Sequence, residues 1–375
     1  MDLFVYGTLR DPDLMAAVAG PGPLNPSQAA LPDYQVRPLS GTEVPLIEPG
    51  LGPAKGVLWS GLNEAQVARL NLYEAAFGYT LSSVTVDIVA NGEPHDAMVY
   101  LAPPGSVAGA GDWFLTDWRR RNGPVARYAA EEIFARDPLP TPEELARLWR
   151  MTQMRAWARW RAQRRAKPSE TRHAPGQGDA HILALDPPQG DFFGLRGVEV
   201  QHRRFDGATS PRLRREVFLG IDASLVLPYD PESDEVVLVE QMRMGPLLLG
   251  DANPWVLEPV AGMIDPGETA EQAAHRECAE EAGITRLKLE RITSFYPSPG
   301  SSTDYFHAFL GICDLSRYGQ SSGGVASENE DLRLHKLRFD DALRLTETGE
   351  VTAGPLVTML YWLALNRQRL RAATS

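Results

Sequence analysis

A polar stretch at 166–181 interrupts the regular succession of apolar and polar segments along the chain. Its sequence, AKPSETRHAPGQGDAH, is rich in Pro and Gly and almost free of large apolar residues. This composition is typical of a linker between domains. We therefore predict a domain at 1–165, a linker at 166–181 and a second domain at 182–375.

The hydrophobic pattern of the N-terminal part predicts a mixture of strands and helices. A Gly- and Pro-rich loop region is expected at 20–53, and Asn91-Gly92 is a typical hairpin turn between two strands. Thr141 is expected to cap the second of two helical pieces that the prolines at 138–142 separate. The predicted strands lie at 3–6, 56–62, 81–90 and 97–101, and the predicted helices lie at 63–74 and, in two pieces, at 123–167.

The second helical piece ends in the basic and aromatic sequence WARWRAQRRAK. Basic side chains interleaved with Trp are one pattern that binds nucleic acid. The alternative is a helix that packs its Trp face on the domain and exposes its Arg side chains to water. We favour the packed helix.

The C-terminal part has the pattern of strands flanked by helices, which predicts an α/β layered fold. A short apolar segment near the end of the chain indicates a buried terminal helix. The predicted strands lie at 195–205, 216–228, 235–241, 287–295, 306–311 and 332–338, and the predicted helices follow Gly262 and lie at about 355–370.

Charge and cysteine content narrow the class of protein. The formal net charge is −12, and residues 169–375 carry 31 acidic and 20 basic side chains, against 18 and 17 in residues 1–168. Such an acidic half lacks the basic footprint that general nucleic-acid binding requires. The two cysteines make no disulfide framework and suit a reducing compartment. Because neither a signal peptide nor an apolar membrane span is visible, we expect a cytoplasmic protein with no nucleic-acid or membrane partner.

The most informative segment is GMIDPGETAEQAAHRECAEEAGI at 262–284. Its carboxylates Glu277, Glu280 and Glu281 are three and four residues apart, so a helix would place them on one face. An isolated Glu pair is usually a solvated helix face. Here the like charges would repel unless a cation offsets them, and Mg²⁺ is commonly shared between carboxylates and substrate phosphates. The segment therefore predicts a metal-binding helix that acts on a phosphate ester or anhydride.

Local signals around the carboxylates support a loop followed by a helix. Asp265-Pro266-Gly267 predicts a turn, Thr269 a helix cap and Gly283 the helix end. The segment resembles the Nudix box, G-x5-E-x7-R-E-U-x-E-E-x-G-U, at every fixed position. Cys278 stands where the box has its first aliphatic residue, and a free Cys packs as a small hydrophobe.

The flanking sequence resembles the ADP-ribose pyrophosphatase branch of the Nudix hydrolases, and Pro299 lies fifteen residues beyond the box, as in that branch. The resemblance implies Mg²⁺-dependent hydrolysis of ADP-ribose to AMP and ribose 5-phosphate, with Mn²⁺ as an alternative ion. A different nucleoside-diphosphate sugar, such as GDP-mannose, is the alternative substrate. The pieces that carry the resemblance are FFGLRGVEVQHRRFDG (192–207), LRREVF (213–218), EQMR (240–243), YPSPGSSTD (296–304) and SENED (327–331).

The resemblance also implies the roles of individual residues. Glu328 matches the general base and follows the flexible stretch 321–324, which suits a loop that closes over substrate. Glu268 and Arg276 are expected to hold the helix and the loop together. The implied metal ligands are the carbonyl of Ala261 and the carboxylates of Glu277, Glu280, Glu281 and Glu330, of which Glu277 and Glu281 are the main ones.

Substrate contacts follow from the same resemblance. Phe192 matches a position that stacks on adenine, and Arg215 with Glu216 matches adenine contacts from the partner subunit, which implies a homodimer through this domain. Arg243 matches a contact to phosphate or ribose, for which a guanidinium is well suited. The remaining two positions are Met263, expected at the substrate, and Asp304, which replaces a Glu of related enzymes and is expected to hold the terminal ribose.

The N-terminal part contains a second motif, Tyr6-Gly7-Thr8-Leu9, directly after its first strand. With Asn71-Leu72-Tyr73-Glu74 and Tyr79, it resembles the γ-glutamylcyclotransferase-like (AIG2-like) family. Ala75 departs from the Gly that many relatives have. The resemblance implies that Glu74 is the base for the substrate amine and that the backbone N–H groups of Gly7–Leu9 stabilise the oxyanion. The alternative is an inert domain that serves interaction only.

Taken together, the two resemblances imply an α/β (α+β) protein. A γ-glutamylcyclotransferase-like domain of mixed β-barrel/α type precedes a Nudix α/β/α sandwich with a mixed sheet. Bacterial proteins linked by name to tellurite resistance have a similar pair of domains, although no residue here explains tellurite chemistry. A protein that only binds or senses nucleotides through a degenerate Nudix box is the alternative, and the intact Arg276, Glu277, Glu280 and Glu281 argue against it.

Overall fold

The computed structural model describes residues 1–166, 168–174, 176, 178–316, 318, 321–324 and 331–373. The chain divides into two compact units, Met1–Glu216 and Val217–Ser375. This division differs from the predicted linker at 166–181, because a sheet that follows the linker is grouped with the first unit. The predicted domain boundaries stay a prediction. Within the described ranges, no helix is long and apolar enough to cross a membrane.

The first unit is built around a small closed β-barrel. Five strands form it in the order β1-β5-β2-β6-β7, and β1 closes the barrel by pairing parallel to β7. A separate three-stranded sheet in the order β10-β9-β8, in which β8 and β9 are antiparallel, follows the helices of this unit. The strands are β1 (Leu3–Val5), β2 (Asn25–Leu31), β3 (Tyr34–Pro38), β4 (Pro45–Pro49), β5 (Ala54–Ser60), β6 (Thr80–Ile88), β7 (Pro94–Leu101), β8 (Ala180–Leu185), β9 (Gly194–His202) and β10 (Leu213–Leu219).

Five α-helices belong to this unit as described, and their ends follow ordinary capping rules. Asn63 and Thr141 each form a capping box with the residue three positions later, which satisfies backbone N–H groups that the helix leaves free. The predicted cap at Thr141 is thereby confirmed. The helices are α1 (Pro12–Ala19), α2 (Glu64–Ala75), α3 (Leu115–Arg121), α4 (Gly123–Ile133) and α5 (Pro142–Ala162), and a short 3-10 helix lies at Thr8–Arg10.

The Trp-containing end of α5 packs on its own unit. Trp157 and Trp160 stack with ring centroids 4.7 Å apart and contact a buried cluster around Tyr128. Arg159 is exposed and lies over the Tyr128 ring, 4.1 Å from its centroid. The expectation of a packed helix with solvated arginines is therefore confirmed.

The second unit is an eight-stranded mixed sheet. Its main path is β15-β16-β11-β12-β18-β17, with β14 paired to β11 and β13 paired to β12. The β11 and β16 strands run parallel and the other pairs are antiparallel. The strands are β11 (Asp222–Asp230), β12 (Glu235–Met242), β13 (Trp255–Glu258), β14 (Val260–Met263), β15 (Lys288–Phe295), β16 (Tyr305–Ile312), β17 (Ser321–Gly323) and β18 (Leu332–Arg338).

Helices cover both faces of this sheet. Leu225 and Leu227 pack in a cluster with α8 and α9, whereas the hydroxyl of Ser224 donates to the carbonyl of Ala270 in α7. Because successive residues of a strand point to opposite faces, α7 lies opposite α8 and α9. The predicted α/β/α sandwich with a mixed sheet is confirmed. The helices are α6 (Met244–Leu249), α7 (Ala270–Ala282), α8 (Phe339–Thr348) and α9 (Gly354–Ala372).

The structure corrects several parts of the predicted secondary structure, including the stretch 321–324 that was expected to be a flexible loop, where Ser321–Gly323 form β17. Strands β2, β3 and β4 occupy much of the region predicted as loop, 20–53. The single strand predicted at 216–228 is two strands, separated at Gly220 and Ile221. A Cβ at Gly220 would lie 1.7 Å from Oδ1 of Asp304, so the chain turns there against a carboxylate.

Both cysteines are buried and unpaired in the second unit. Burial raises the pKa of the Cys278 thiol far above its usual range, and it raises the pKa of Cys313 to about 12. Cys278 therefore acts as a small apolar core residue on α7, as expected for its place in the box.

Candidate functional site

The loop and helix that carry the predicted carboxylates form as expected. The Thr269 hydroxyl accepts from the N–H of Gln272, and the Gln272 side chain accepts from the N–H of Thr269, so a capping box begins α7. Gly283 ends the helix in the left-handed conformation at φ 65°. The apolar side of α7, including Ala273, Ala274 and Cys278, is fully buried. The helix is therefore fixed at both ends and along one face.

Arg276 ties this helix to the loop in front of it. Its Nε and Nη2 each donate to the carboxylate of Glu268 at 2.9 Å, and Nη2 also donates to the carbonyl of Met263 at 2.9 Å. These bonds lower the pKa of Glu268, chiefly through the charged hydrogen bond from the guanidinium. Arg276 and Glu268 thus have the contacts of a brace, as the sequence predicted.

The same guanidinium also faces the acidic side of α7. Nη1 of Arg276 donates to Glu277 at 2.5 Å and to Glu280 at 3.1 Å. One positive charge therefore contacts three carboxylates, those of Glu268, Glu277 and Glu280. Several carboxylates therefore lie close together on this side of α7, and carboxylate oxygens are the donors that hard divalent ions prefer.

Glu277 and Glu281 are the two buried carboxylates of the segment, with 9% and 3% of their surface exposed. An oxygen of Glu281 accepts from the N–H of Ala261 in β14 at 3.1 Å. A Cβ at Gly262 would lie 1.9 Å from Cδ of Glu277. The glycine is needed because the carboxylate occupies the space above the strand.

The carboxylate oxygens of Glu277 and Glu281 are suitable ligands for a hard divalent ion, but two side chains do not complete its coordination. Carboxylate oxygens suit Mg²⁺, which is usually held by one or two carboxylates together with substrate phosphates and water. Within the described ranges, no three Asp, Glu, His or Cys side chains are arranged to hold a metal ion alone. The predicted base Glu328 and the predicted ligand Glu330 both lie outside the described residues.

The predicted substrate contacts in the second unit make local bonds. Nε of Arg243 donates to Glu258 at 2.7 Å. Oδ1 of Asp304 accepts from the N–H of Ile221 at 3.1 Å, and its other oxygen accepts from the Ser302 hydroxyl. Asp304 therefore shapes the turn between β10 and β11.

The predicted adenine contacts fall in the first unit. Phe192 is 53% exposed and meets Phe193 edge to face at 4.8 Å. Arg215 and Glu216 are exposed on β10, where Nη1 of Arg215 donates to the carbonyl of Arg214 at 2.7 Å. Their exposure leaves all three side chains accessible to a ligand or a second chain.

A cavity of about 350 Å³ in the first unit brings together the two halves of the N-terminal motif. Tyr6, Gly7, Thr8 and Leu9 line one part, and Glu74 lines another. The Tyr6 hydroxyl donates to the carbonyl of Tyr100 at 3.1 Å. The volume lies near the lower end of the range for small-molecule sites, roughly 300–1,000 Å³.

Glu74 is the chemically unusual group of this cavity. Its side chain lines the cavity and is partly buried. Burial raises the pKa of its carboxyl from 4.5 to about 8. Burial and the Glu74 charge together raise the pKa of Tyr79 to about 12. A carboxyl with a pKa near neutrality is suited to proton transfer at physiological pH.

Trp149 and Gln153 are among the cavity residues that sequence reasoning missed. They lie on α5, 75 and 79 positions after Glu74, and both line the cavity. Their spacing of four places them on one helix face, which was the available signal. The sequence gives no indication that this face meets Glu74, because the contact depends on how α5 packs in three dimensions.

Comparison with known proteins gives matches for both parts of the chain. Residues 3–120 match a family model described as gamma-glutamyl cyclotransferase, AIG2-like, and residues 220–353 match the NUDIX domain. An ADP-ribose pyrophosphatase of Escherichia coli (strain K12) is 37% identical over 207 residues, which are 55% of this chain and 97% of the relative.

Two further matches concern the same part of the chain. A GDP-mannose pyrophosphatase of Escherichia coli (strain UTI89 / UPEC) is 30% identical over 176 residues, 47% of this chain and 90% of that protein. A solved structure titled "Crystal structure of ADP compounds hydrolase" aligns with a TM-score of 0.41 and 19% identity, over 52% of this chain and 97% of its own.

Nudix hydrolases generally use divalent metal ions, in keeping with the oxygen donors on α7. Two observations assign the second half of the chain to a family. It matches 97% of the length of a relative at 37% identity, and residues of the box contact Arg276. The chain belongs to the Nudix hydrolase family and carries a γ-glutamyl cyclotransferase, AIG2-like domain at its N-terminal end.

Proposed function

We propose that the second unit hydrolyses ADP-ribose with Mg²⁺, giving AMP and ribose 5-phosphate. The observation that carries this proposal is the buried pair Glu277 and Glu281 on α7, beside the Arg276 guanidinium that also contacts Glu280. The relative at 37% identity that is named ADP-ribose pyrophosphatase supports the choice of substrate.

In the proposed reaction, Glu277, Glu281 and the Ala261 carbonyl would hold the ion, with Glu280 and Glu330 as further ligands. Bound Mg²⁺ would neutralise the diphosphate, polarise its phosphorus and acidify the attacking water. Arg276 keeps the carboxylates in position through its contacts with Glu268 and the Met263 carbonyl.

Bond making and breaking follow from the products. Glu328, the proposed base, takes the proton of the attacking water. The water oxygen bonds to one phosphorus of the diphosphate, and the bond from that phosphorus to the bridging oxygen breaks. The phosphate released with the bridging oxygen takes up a proton, so no other reactant is needed.

A panel assay tests the reaction and its main alternative. Purified full-length protein with Mg²⁺ is given ADP-ribose, GDP-mannose and NADH, and AMP release or phosphate after phosphatase treatment is measured. We expect the highest kcat/KM for ADP-ribose. A higher value for GDP-mannose would instead favour the substrate named for the relative at 30% identity.

A matched pair of variants tests the metal role. Glu281→Gln keeps the shape of the buried side chain and removes its charge, so turnover should fall by about a hundredfold or more. Glu271→Gln removes an exposed charge from the first turn of the same helix and should leave turnover unchanged. Equal activity of the two variants would contradict the metal role of Glu281.

We infer a homodimer in which Arg215 and Glu216 contact the adenine bound by the partner subunit. The strand β8 supports this proposal, since all six of its residues are exposed, including Ile182, Leu183 and Leu185. Light scattering should give twice the chain mass. Mixing inactive Glu281→Gln with inactive Arg215→Ala protein should restore activity in mixed dimers, and a monomeric mass would contradict the inference.

A second activity is favoured by the cavity of the first unit. We propose that it releases 5-oxoproline from γ-glutamyl amides, with Glu74 as the base. Glu74 takes a proton from the substrate α-ammonium, and the amine nitrogen bonds to the γ-carbonyl carbon and gives up a second proton. The bond from that carbon to the amide nitrogen then breaks, and the departing amine takes up both protons and leaves as an ammonium, so no other reactant is consumed.

Loss of 5-oxoproline release in Glu74→Gln, but not in Glu64→Gln, would support this activity. Glu64 is exposed at the start of the same helix and provides the matched control. Unchanged release by the Glu74 variant would contradict the proposed base. No release by the wild type from any γ-glutamyl amide would leave the domain as an interaction module.

A further inference from the structure

One wall of the N-terminal cavity comes from outside the segment that matches the cyclotransferase family. That match ends at residue 120, whereas the cavity also takes Trp149 and Gln153 from α5. The helix is an addition to the matched segment, and it changes what the cavity presents to a ligand.

Trp149 contacts the side chains that bracket Glu74 in the sequence. Its ring meets Phe77 edge to face at 4.9 Å and Tyr73 edge to face at 5.8 Å. Tyr73 and Phe77 also meet each other edge to face, at 5.8 Å. These three rings form an aromatic wall, in the arrangement that aromatic side chains prefer. The wall therefore lies beside the carboxyl that is proposed to act as base.

The charge on the cavity lining is small. Among its described lining residues, Glu74 is the one carboxylate and there is no Lys, Arg or His. Gln153 adds an uncharged amide from the same helix face as Trp149. A substrate α-ammonium would be matched by Glu74, but a second charge near the aromatic wall would meet no opposite charge. Burying an unpaired charge is costly.

We propose that Trp149 and Gln153 select γ-glutamyl amides whose amine part is uncharged and apolar or aromatic. This inference rests on the proposed cyclotransferase function of the first unit. The glutamyl part is common to every candidate substrate, so the selection concerns only the departing amine. The ring of an aromatic amine would stack against the aromatic wall. The uncharged Gln153 amide would accommodate this amine, because it needs no charged partner on the ligand.

Three substrates that differ in the charge of the amine part test the selection on the full chain. They are γ-glutamyl benzylamide, which is neutral, γ-glutamylputrescine, which is cationic, and γ-glutamyl-alanine, which is anionic. Both 5-oxoproline release and calorimetric binding are measured. We expect kcat/KM and affinity to be about tenfold or more in favour of the benzylamide.

The two readouts separate the selection from the activity on which it rests. Preferential binding of the benzylamide without 5-oxoproline release would contradict the cyclotransferase proposal and support the selection. Release from all three substrates at similar kcat/KM would overturn the selection and support the activity. Absence of both binding and release would overturn both.

Opposite substitutions at one position give the sharpest test of Gln153. Gln153→Glu should raise the kcat/KM and affinity of γ-glutamylputrescine relative to the benzylamide by roughly fivefold or more, because it supplies the missing counter-charge. Gln153→Arg should do the same for γ-glutamyl-alanine. If neither variant changes these ratios, the assignment of Gln153 is wrong.

Trp149 is tested by graded substitution, because it also packs in the core of the unit. Trp149→Phe should retain most of the preference for the benzylamide, and Trp149→Ala should lose it. Trp160→Phe, on the same helix but away from the cavity lining, should retain the full preference. An unaltered preference in a folded Trp149→Ala protein would overturn its role.

Discussion

Replacing Glu74 by Gln should stabilise the first unit at alkaline pH, because the cavity disfavours a charged carboxylate. The pKa of Glu74 rises from 4.5 in the unfolded chain to about 8 in the folded one. Between these values the folded state keeps a proton that the unfolded state has lost, so stability falls as pH rises from 4.5 and levels off above 8. A Gln side chain does not ionise, so it gives the stability no such dependence on pH.

The magnitude follows from the size of the shift. Each pKa unit corresponds to about 1.36 kcal/mol, so the penalty for the ionised carboxylate is at most about 5 kcal/mol above pH 8. For a unit of this size, ~1 kcal/mol changes the melting temperature by roughly 2–4 °C. The variant should therefore gain up to about 10–20 °C over the wild type between pH 5 and pH 8.5.

Tryptophan fluorescence is a suitable probe, because six of the eight Trp residues lie in the first unit, namely Trp59, Trp113, Trp118, Trp149, Trp157 and Trp160. Melting of wild type and Glu74→Gln is compared at pH 5, 6, 7 and 8.5, with Glu64→Gln as the control. The control should differ from wild type by the same small amount throughout. A difference for Glu74→Gln that does not grow with pH would refute the argument that burial perturbs this carboxyl.

Three further outcomes follow from contacts described above. Gly262→Ala should abolish hydrolysis and lower the free energy of unfolding by about 1–3 kcal/mol, because the added Cβ would displace the Glu277 carboxylate. Activity assays and thermal melting check both effects. Arg276→Met should reduce turnover with ADP-ribose and raise the Mg²⁺ concentration that gives half-maximal activity, since the carboxylates lose their brace; an unchanged Mg²⁺ dependence would argue against that role. Arg155→Met should destabilise the first unit by about 3–5 kcal/mol, because it removes the ion-pair partner of Glu132. The side chains of Arg155 and Glu132 are only 5% and 13% exposed. Thermal melting followed by Trp fluorescence tests this.

Local sequence signals explain why helix α7, which carries the acidic residues, could be predicted almost completely. Thr269, Gly283 and the carboxylate spacing act within one or two turns, so the sequence alone determines the ends and faces of α7. The bond from Arg276 to Glu268 also spans only eight positions. The same reasoning does not reach Glu328 and Glu330, which lie outside the described residues.

Long-range packing explains what the sequence could not indicate. The strand β2, with sequence NPSQAAL, has little alternation and is ordered by pairing along its length with β5. Trp149 and Gln153 join the cavity only because α5 folds back toward α2. The hydrogen bonds from the Ile221 N–H and the Ser302 hydroxyl to Asp304, which the motif predicts as a ribose contact, could not be read from the sequence either. Each of these features depends on residues that are distant along the chain or on the geometry of a turn.

The burial of both native cysteines has a practical consequence for labelling this protein. The thiolate is the reactive form, and a raised pKa leaves almost none of Cys278 or Cys313 in that form near neutral pH. A cysteine introduced at an exposed position, such as Glu64 or Glu271, would then react with a maleimide fluorophore far faster than either native thiol. Fluorescent probes can therefore be attached without first removing the native cysteines, one of which packs on the buried face of α7.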